Sequence, residues 1–194
     1  MTAIGYRSLV RGPHSVAGQL EAADERALSL TRGLTEAQAN WRAHPAHPSV
    51  CEALEGYVAW LRRTVPVVRD GVHGVRSGWR ARLGRVNSGW WWQAIPGMVE
   101  WLPSLPWVGW RALDDSSRRP VRAVMCEILA CHAEVRQLTR EGERRDLRIA
   151  QVRLPGVAVV RPPLDVALAV VPAMARRQLR RAERVRLDAG FPRR

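Results

Sequence analysis

The sequence predicts an all-α protein, an antiparallel four-helix bundle with a long tryptophan-rich insertion between its second and third helices. Two observations support this fold class. Apolar residues recur at helical spacing in four separate segments, and the three connections between them are short, long and crossing in that order. A chain of 194 residues is long enough to bury its own core, so we expect a single domain over residues 1–194.

The first helix is predicted to begin after Ser15 and to end near Gly33. Serine is a favoured cap residue, and glycine commonly ends a helix. The apolar stripe that this helix would bury consists of Val16, Leu20, Ala23, Ala27, Leu30 and Leu34. A loop rich in proline and histidine then leads to the second helix.

The second helix is expected over about residues 50–65. Ser49 and Glu52 have the spacing of a capping box, and Pro66 predicts an end or a kink. The buried stripe is Val50, Ala53, Leu54, Tyr57 and Leu61. Gly56 and Trp60 lie one turn apart on the flank of this helix, and a glycine there costs about 1 kcal/mol relative to alanine. We therefore expect either a bulky side chain packed on Gly56 or a position where a larger side chain has been replaced.

The insertion, about residues 67–114, holds seven of the nine tryptophans. Short amphipathic helices are predicted at residues 98–102 and 107–113, between prolines. Tryptophan with arginine is typical of a membrane interface, of a binding surface, or of a lid packed on a small bundle. Because no long helical period is present, the lid is the favoured interpretation.

The third helix is predicted over about residues 118–143, with Pro120 in its first turn. Its buried stripe is Val121, Val124, Met125, Ile128, Leu129, Cys131, Val135 and Leu138. His132 falls near the centre of that stripe. A single inward histidine is either a hydrogen-bonded core residue, which is the commoner case, or an acid–base catalyst.

The last helix is predicted over residues 164–187. Its buried side gathers Ala167, Leu168, Val171, Met174, Ala175, Gln178, Leu179, Ala182 and Val185, and Arg176, Arg177, Arg180, Arg181 and Arg184 are expected on the solvent-facing side. Gln178 lies in the middle of the apolar side, where an unpaired amide is costly. It is either hydrogen-bonded to a neighbouring helix or part of a ligand site.

Composition and charge limit the classes of function and the location that we expect for this protein. The net charge is +13, and all 31 basic residues are arginines spread through every segment. Such a chain attracts polyanions by counterion release, but no motif of a nucleic-acid-binding module accompanies the charge, so no specific nucleic-acid partner is expected. Three cysteines without paired spacing and no secretory segment in residues 1–33 predict a cytoplasmic protein, and no apolar run is long enough for a membrane span.

Two stretches of the chain resemble one family. Trp41-Arg42, then Pro48-Ser49-Val50 and residues 52–57, are similar to the segment that opens the second helix of DinB/YfiT-like proteins. Residues 177–185, with Gly190-Phe191-Pro192 behind them, resemble the end of the same family. The resemblance covers most of the chain outside the insertion. It implies a four-helix bundle and, in members that hold a metal, hydrolase or thiol-dependent transferase activity.

In that family three histidines bind a divalent metal, one from the second helix and two from the last. Carried over by position, these ligands fall on Gly56, Met174 and Gln178, so the resemblance implies that the metal is absent and that no cofactor is bound. We expect a non-catalytic or small-molecule-binding member. Its remaining pocket would be formed by Gly56, Trp60, Met174 and Gln178, with His132 as a further candidate, under the insertion.

Two alternatives stay open. One is an enzyme that works without a metal, a hydrolase or thiol-type transferase that acts on a small acid or thiol conjugate with His132 as its acid or base; the test is whether His132 shares a cavity with Gln178 or is sealed away from it. The other is an arginine-rich nucleic-acid binder, which requires a contiguous basic face. A homodimer covered by the insertion is also consistent with the sequence.

Overall fold

The computed structural model describes residues 15–45, 47–75, 92, 94–101, 119–143, 145, 147–148, 150–155 and 161–192. The described residues form helices and no strand, apart from an isolated bridge between Gln151 and Pro163. The helices are α1 (Val16–Thr31), α2 (Glu36–Ala39), α3 (Val50–Gly74), α4 (Ile95–Trp101), α5 (Val121–Gly142) and α6 (Leu164–Leu187). The predicted all-α class is confirmed. In the described part of the chain, no helix has the length and apolar character needed to cross a membrane.

Helix α1 begins where the sequence predicts. The Ser15 hydroxyl accepts a hydrogen bond from the Gly18 amide at 3.0 Å, and Gly33, with φ +72°, turns the chain after the helix. The predicted stripe is buried except for Leu34, which is half-buried. The short helix α2 was not predicted. It is capped by Thr35 and Gln38, which satisfy each other's backbone amides.

Helix α3 starts with the predicted capping box: the Glu52 amide donates to the Ser49 hydroxyl at 3.2 Å, and the Ser49 amide donates to a Glu52 carboxylate oxygen at 2.8 Å. The predicted end at residue 65 is wrong, because the helix continues through Pro66 to Gly74. Residues 67–74, assigned to the insertion from the sequence, are therefore part of this helix.

Burial and pairing beyond Pro66 explain the longer helix. A proline inside a helix removes one hydrogen bond and costs about 3 kcal/mol. Val68 and Val72 continue the buried stripe of α3, and each fully buried valine contributes roughly 1.5–3 kcal/mol. Arg69 also pairs with Glu134 of α5. The helix continues to Gly74 because the apolar periodicity of the sequence runs past the proline.

Helices α3 and α5 run parallel to each other. Arg62 pairs with Glu127, and seven residues further along both helices Arg69 pairs with Glu134. Helices α1 and α6 are also parallel: Arg176 donates to Gln19 at 2.6 Å, and Arg26 pairs with Glu183 seven residues later. Each of these contacts advances in the same direction on both helices.

The two pairs pack against each other in opposite directions. Tyr57 of α3 contacts the Val171 carbonyl of α6, and Gly71, later in α3, lies against Leu164, earlier in α6. Likewise Asp24 of α1 contacts His132 of α5, and Glu36 of α2 reaches the first residue of α5. Each long helix therefore has one parallel and one antiparallel neighbour, so the antiparallel arrangement predicted from the sequence is found for only one of the two neighbours of each helix. The apolar core lies between them.

Helix α5 begins at Val121, directly after Pro120, and its predicted stripe is buried except at Leu129 and Cys131, which are half-buried. Helix α6 has the predicted bounds and a fully buried apolar side. Its arginine side was expected to face solvent, and that expectation is wrong: Arg177 is buried, and only Arg184 among these five arginines is exposed.

Helix α4, near the predicted helix at residues 98–102, covers that arginine side. Its Glu100 carboxylate binds both Arg176 and Arg180 of α6, at 2.8 and 2.6 Å. Arg177 donates to the carbonyl oxygen of Val99 at 3.2 Å. This described part of the insertion therefore packs on the last helix. The predicted helix at residues 107–113 and most of the tryptophans lie outside the described residues.

Candidate functional site

His132 of α5 is sealed in the core, with 1% of its surface exposed. Its Nδ1 lies 2.5 Å from the Asp24 carboxylate of α1, and its Nε2 lies 2.7 Å from the Tyr57 hydroxyl of α3. Tyr57 also contacts the carbonyl oxygen of Val171 in α6, at 3.3 Å. One polar network therefore joins all four long helices at the middle of the core.

The distances indicate where the protons lie in this network. The Asp24 carboxylate can only accept, so His132 Nδ1 carries the hydrogen that Asp24 receives. The Tyr57 hydroxyl is closer to Nε2 than to the Val171 carbonyl, so its proton is placed toward Nε2. Burial, together with the charge of Asp24, raises the pKa of Tyr57 well above its ordinary value and keeps the phenol protonated.

Asp24 remains ionised because its partners outweigh its burial. Burial by itself raises the pKa of this carboxyl group, but hydrogen bonds from His132 and Arg136 lower it by more, and the net shift is downward. The Arg136 bond measures 2.6 Å and connects the network to the surface, where Arg136 is half-buried. Both ring nitrogens of His132 are thus engaged within the protein, and this histidine holds helices together.

Trp60 lies one turn after Gly56 and extends the network. Its ring stacks on Tyr57 with centroids 6.1 Å apart and an interplanar angle of 14°. The Tyr57 ring meets His132 edge to face at 5.6 Å. Two of the five predicted pocket residues, Trp60 and His132, are therefore linked through Tyr57, and Trp60 is half-buried at the outer end of this aromatic row.

Met174 and Gln178 form a separate pair on α6. The Gln178 amide nitrogen donates to the Met174 sulfur at 3.6 Å, and Gln178 Oε1 is buried without a hydrogen-bond partner. Gln178 is only 3% exposed. An unpaired buried carbonyl costs roughly 1–3 kcal/mol. Gln178 therefore has no described hydrogen bond to a neighbouring helix, although such a bond was one of the two interpretations offered by the sequence.

The register of α3 against α6 indicates where Gly56 lies. Tyr57 contacts Val171, and Glu52 lines a cleft together with Val185. Gly56 falls between these two levels on α3, and Met174 and Gln178 fall between them on α6. Gly56 lies one residue before Tyr57 on α3, and Met174 and Gln178 lie three and seven residues after Val171 on α6.

Arg177 is a site residue that the sequence interpretation missed. It is 6% exposed and has one hydrogen bond, to the Val99 carbonyl, and it makes no ion pair with any described carboxylate. Burial, reinforced by the charge of Arg180, lowers the pKa of Arg177 below its ordinary value. Asp24 was also missed, although its place beside Leu20 and Ala27 on the apolar side of α1 signals an inward carboxylate.

The structure also shows an open cleft that no sequence argument predicted. It has a volume of about 710 Å³ and lies between the loop before α3 and the end of α6. Its lining consists of Arg42, Ala43, Pro45, His47, Pro48, Glu52, Arg181, Arg184, Val185 and Asp188. None of the five predicted pocket residues lines this cleft.

The thiols of Cys51 and Cys131 are poor nucleophiles. Burial, with the nearby charges of Glu55 and other carboxylates, raises the pKa of Cys51 to about 12, and its Sγ contacts the Arg119 carbonyl at 3.4 Å. Burial also raises the pKa of Cys131. Since a thiolate is the reactive form, neither side chain is prepared for thiol chemistry near neutral pH.

Nine of the twenty arginines that the structure describes are paired with carboxylates. Ion pairs are formed by Arg26, Arg42, Arg62, Arg69, Arg119, Arg136, Arg148, Arg176 and Arg180. These contacts divide the basic charge among several surfaces. A continuous basic stripe, which a nucleic-acid binder of this type requires, does not follow from them.

The residues that the structure describes contain no group of three histidine, cysteine, aspartate or glutamate side chains that could hold a metal ion. The chain was also compared with known proteins. No family model matches it, and neither the curated proteins nor the solved structures include a significant match.

Proposed function

We propose that this chain is a DinB-like four-helix bundle that holds no catalytic metal and acts as a small-molecule-binding protein. The four long helices would form the bundle, with the segment between α3 and α5 as its insertion. The proposal rests on the different hydrogen bonding of His132 and Gln178. Both ring nitrogens of His132 are engaged in hydrogen bonds within the core, whereas Gln178 Oε1 is a buried acceptor to which no described protein group donates.

The helix directions support the bundle. Because α3 and α5 run parallel, the end of α3 and the start of α5 lie at opposite ends of these two helices, as in bundles that have a long crossover connection. The short connection from α1 to α3 and the crossing connection from α5 to α6 complete an up-down-down-up order. The resemblance of residues 41–57 and 177–192 to DinB-like proteins is the sequence support for a bundle of four helices.

The chemistry of the three family ligand positions supports the absence of metal catalysis. A glycine, a thioether and an amide do not replace three imidazoles around zinc or nickel. Met174 and Gln178 are bonded to each other instead. A metal-activated water is therefore not part of the proposed function, and the unpaired Gln178 carbonyl would accept a hydrogen bond from a bound ligand.

A metal-free enzyme that uses His132 is the less supported alternative. Its imidazole is 1% exposed, and both nitrogens already have partners, so a substrate would have to displace Tyr57 or Asp24. The structure gives no comparable support for nucleic-acid binding, since Arg26, Arg62 and Arg69 are each paired with a carboxylate on a neighbouring helix.

Elemental analysis tests the proposal. The purified chain should contain no stoichiometric zinc, nickel or iron, and the triple variant Gly56→His, Met174→His, Gln178→His should gain a divalent-metal site with an open fourth position. The double variant Met174→His, Gln178→His is the matched control and should bind more weakly. One metal ion per molecule in the unmodified chain would refute the proposal. A folded triple variant without added affinity would show that Gly56 is not aligned with the other two positions.

A further inference from the structure

We propose that Trp60, Tyr57 and His132 form an electron-transfer path, in which a one-electron oxidant that reacts with Trp60 produces a neutral phenoxyl radical on Tyr57 in the core. The oxidants concerned are small inorganic radicals, of which the azidyl radical is one, and the path acts as a sink for them. The Gln178 carbonyl takes no part in this path. The inference therefore stands or falls independently of the proposed function.

The first contact of the path joins two aromatic rings. Tyr57 is 2% exposed, whereas Trp60 is half-buried, so an oxidant in solution reaches the indole before the phenol. The two rings stack with centroids 6.1 Å apart and an interplanar angle of 14°. This separation is that of aromatic rings in direct contact, roughly 4.5–7 Å. An electron therefore has one short step to make, from the phenol ring of Tyr57 to the oxidised indole of Trp60.

The phenolic proton of Tyr57 has an acceptor in place. A tyrosine radical is neutral only if oxidation also removes the hydroxyl proton. The Tyr57 hydroxyl lies 2.7 Å from His132 Nε2, within the reach of direct proton transfer, roughly 2.6–3.2 Å. Because Nδ1 carries the hydrogen that Asp24 receives, Nε2 has the lone pair that takes the proton. The proton thus moves along a hydrogen bond that the resting protein already contains.

The charges around the pair favour transfer of the proton to His132. Burial, together with the charge of Asp24, raises the pKa of Tyr57 well above its ordinary value, so the phenolate does not form before oxidation. Proton transfer produces an imidazolium, and the Asp24 carboxylate contacts its Nδ1 at 2.5 Å. Arg136 stays bound to the other oxygen of Asp24 at 2.6 Å. Since an unpaired charge in the core is costly, Asp24 is the group that stabilises the product.

The two steps balance in electrons and protons. The azidyl radical takes one electron from Trp60 and becomes azide, and the indole radical cation releases its N–H proton to water. Tyr57 then gives one electron to the indolyl radical, which regains a proton from water, while the phenolic proton passes to His132 Nε2. The products are azide, a phenoxyl radical on Tyr57 and an imidazolium paired with Asp24.

Pulse radiolysis in azide solution tests the electron transfer, because indolyl and phenoxyl radicals absorb visible light in separate bands. The chain has two tyrosines, so in Tyr6→Phe every phenoxyl signal comes from Tyr57. In this variant the phenoxyl band should grow as the indolyl band decays, at a rate that does not depend on protein concentration. Adding Trp60→Phe should lower the rate by about tenfold or more. Adding Trp41→Phe is the matched control and should leave the rate unchanged, because this half-buried indole packs on Phe191.

The proton acceptor is tested in the same Tyr6→Phe background. His132→Gln removes the imidazole that takes the phenolic proton and should lower the rate by about tenfold or more. Circular dichroism verifies that the variant folds. A measurement in deuterium oxide does not depend on that folding: the rate in Tyr6→Phe should fall there, because the O–H bond of Tyr57 breaks in the same step.

Each opposite result overturns the inference. The absence of a phenoxyl band in Tyr6→Phe would show that Tyr57 is not oxidised, and equal rates after Trp60→Phe and Trp41→Phe would show that the electron does not pass through Trp60. A rate that rises with protein concentration would make the transfer intermolecular. Equal rates in ordinary and deuterated water, or an unchanged rate in a folded His132→Gln variant, would remove the proton transfer to His132.

Discussion

His132 and Gln178 are two buried polar side chains of this protein, and they differ in how far their hydrogen bonds are satisfied. Asp24 and Tyr57 each bond one ring nitrogen of His132, and Arg136 donates to the same Asp24 carboxylate. Around Gln178, the amide nitrogen reaches only a methionine sulfur and the carbonyl oxygen reaches nothing. Both side chains are almost fully buried on helices of the same core. The difference shows that two side chains buried to a similar extent can differ fully in whether their hydrogen bonds are satisfied.

The largest expected effect comes from removing the satisfied site. His132→Ala should lower the free energy of unfolding by about 3–5 kcal/mol, because it leaves the buried Asp24 carboxylate and the Tyr57 hydroxyl without their common partner. Urea denaturation measures this loss. His73→Ala, which breaks an exposed pair with Glu141, is the control and should cost no more than about 1 kcal/mol. A loss below 1 kcal/mol in His132→Ala would mean that the network is not structural.

The pH dependence of Asp24 should give a smaller effect. Its pKa in the folded protein lies below the ordinary value of 3.8, so its contribution is fully present above pH 3.8 and is lost as the pH falls through the folded value. Asp24→Asn should reduce stability by roughly 2–3 kcal/mol at neutral pH, the scale of charged hydrogen bonds.

Unfolding measured over an acid series checks this prediction. The curves of the unmodified protein and Asp24→Asn should converge in strongly acid solution. Asp70→Asn removes an exposed carboxylate from α3 and should change stability by no more than about 0.5 kcal/mol. Curves for Asp24→Asn and the unmodified protein that stay parallel to the lowest pH would contradict the assigned ion pair.

The smallest effect is expected at the unsatisfied site, and with the opposite sign. Gln178→Leu should leave stability unchanged or raise it by about 1 kcal/mol, because it removes a buried carbonyl that has no partner. Tyr57→Phe is the matched change at the satisfied site and should cost roughly 1–3 kcal/mol, since His132 loses a hydrogen bond. Thermal and urea unfolding measure both. A destabilised Gln178→Leu would show that the amide is structurally engaged.

Much of the fold follows from apolar spacing. The start of α1, the capping box of α3 and both ends of α6 were predicted from local sequence, because caps and stripes are local features. The end of α3 was not, since Pro66 was given more weight than the valines beyond it. The covered arginines of α6 were missed because Glu100 is 76 residues away from Arg176 in the sequence.

The candidate sites were less predictable because their contacts also join residues that are far apart in the sequence. The position of His132 in the core could be read from α5, but its partners come from α1 and α3. The inward place of Gln178 was also visible, whereas the lack of a partner for its carbonyl depends on everything packed around it. The cleft joins residues 42–52 to residues 181–188, and no spacing rule brings those segments together.

The parallel pairing of α1 with α6 has a consequence for synthesis on the ribosome. Arg26 and Glu183 are separated by 157 positions, so α1 leaves the exit tunnel long before its partner is made. Until α6 emerges, Leu20, Ala23 and Ala27 have no apolar surface of that helix to cover them, and α3 also lacks it. The nascent chain must therefore wait with exposed apolar stripes, a state in which chaperones would be expected to engage it.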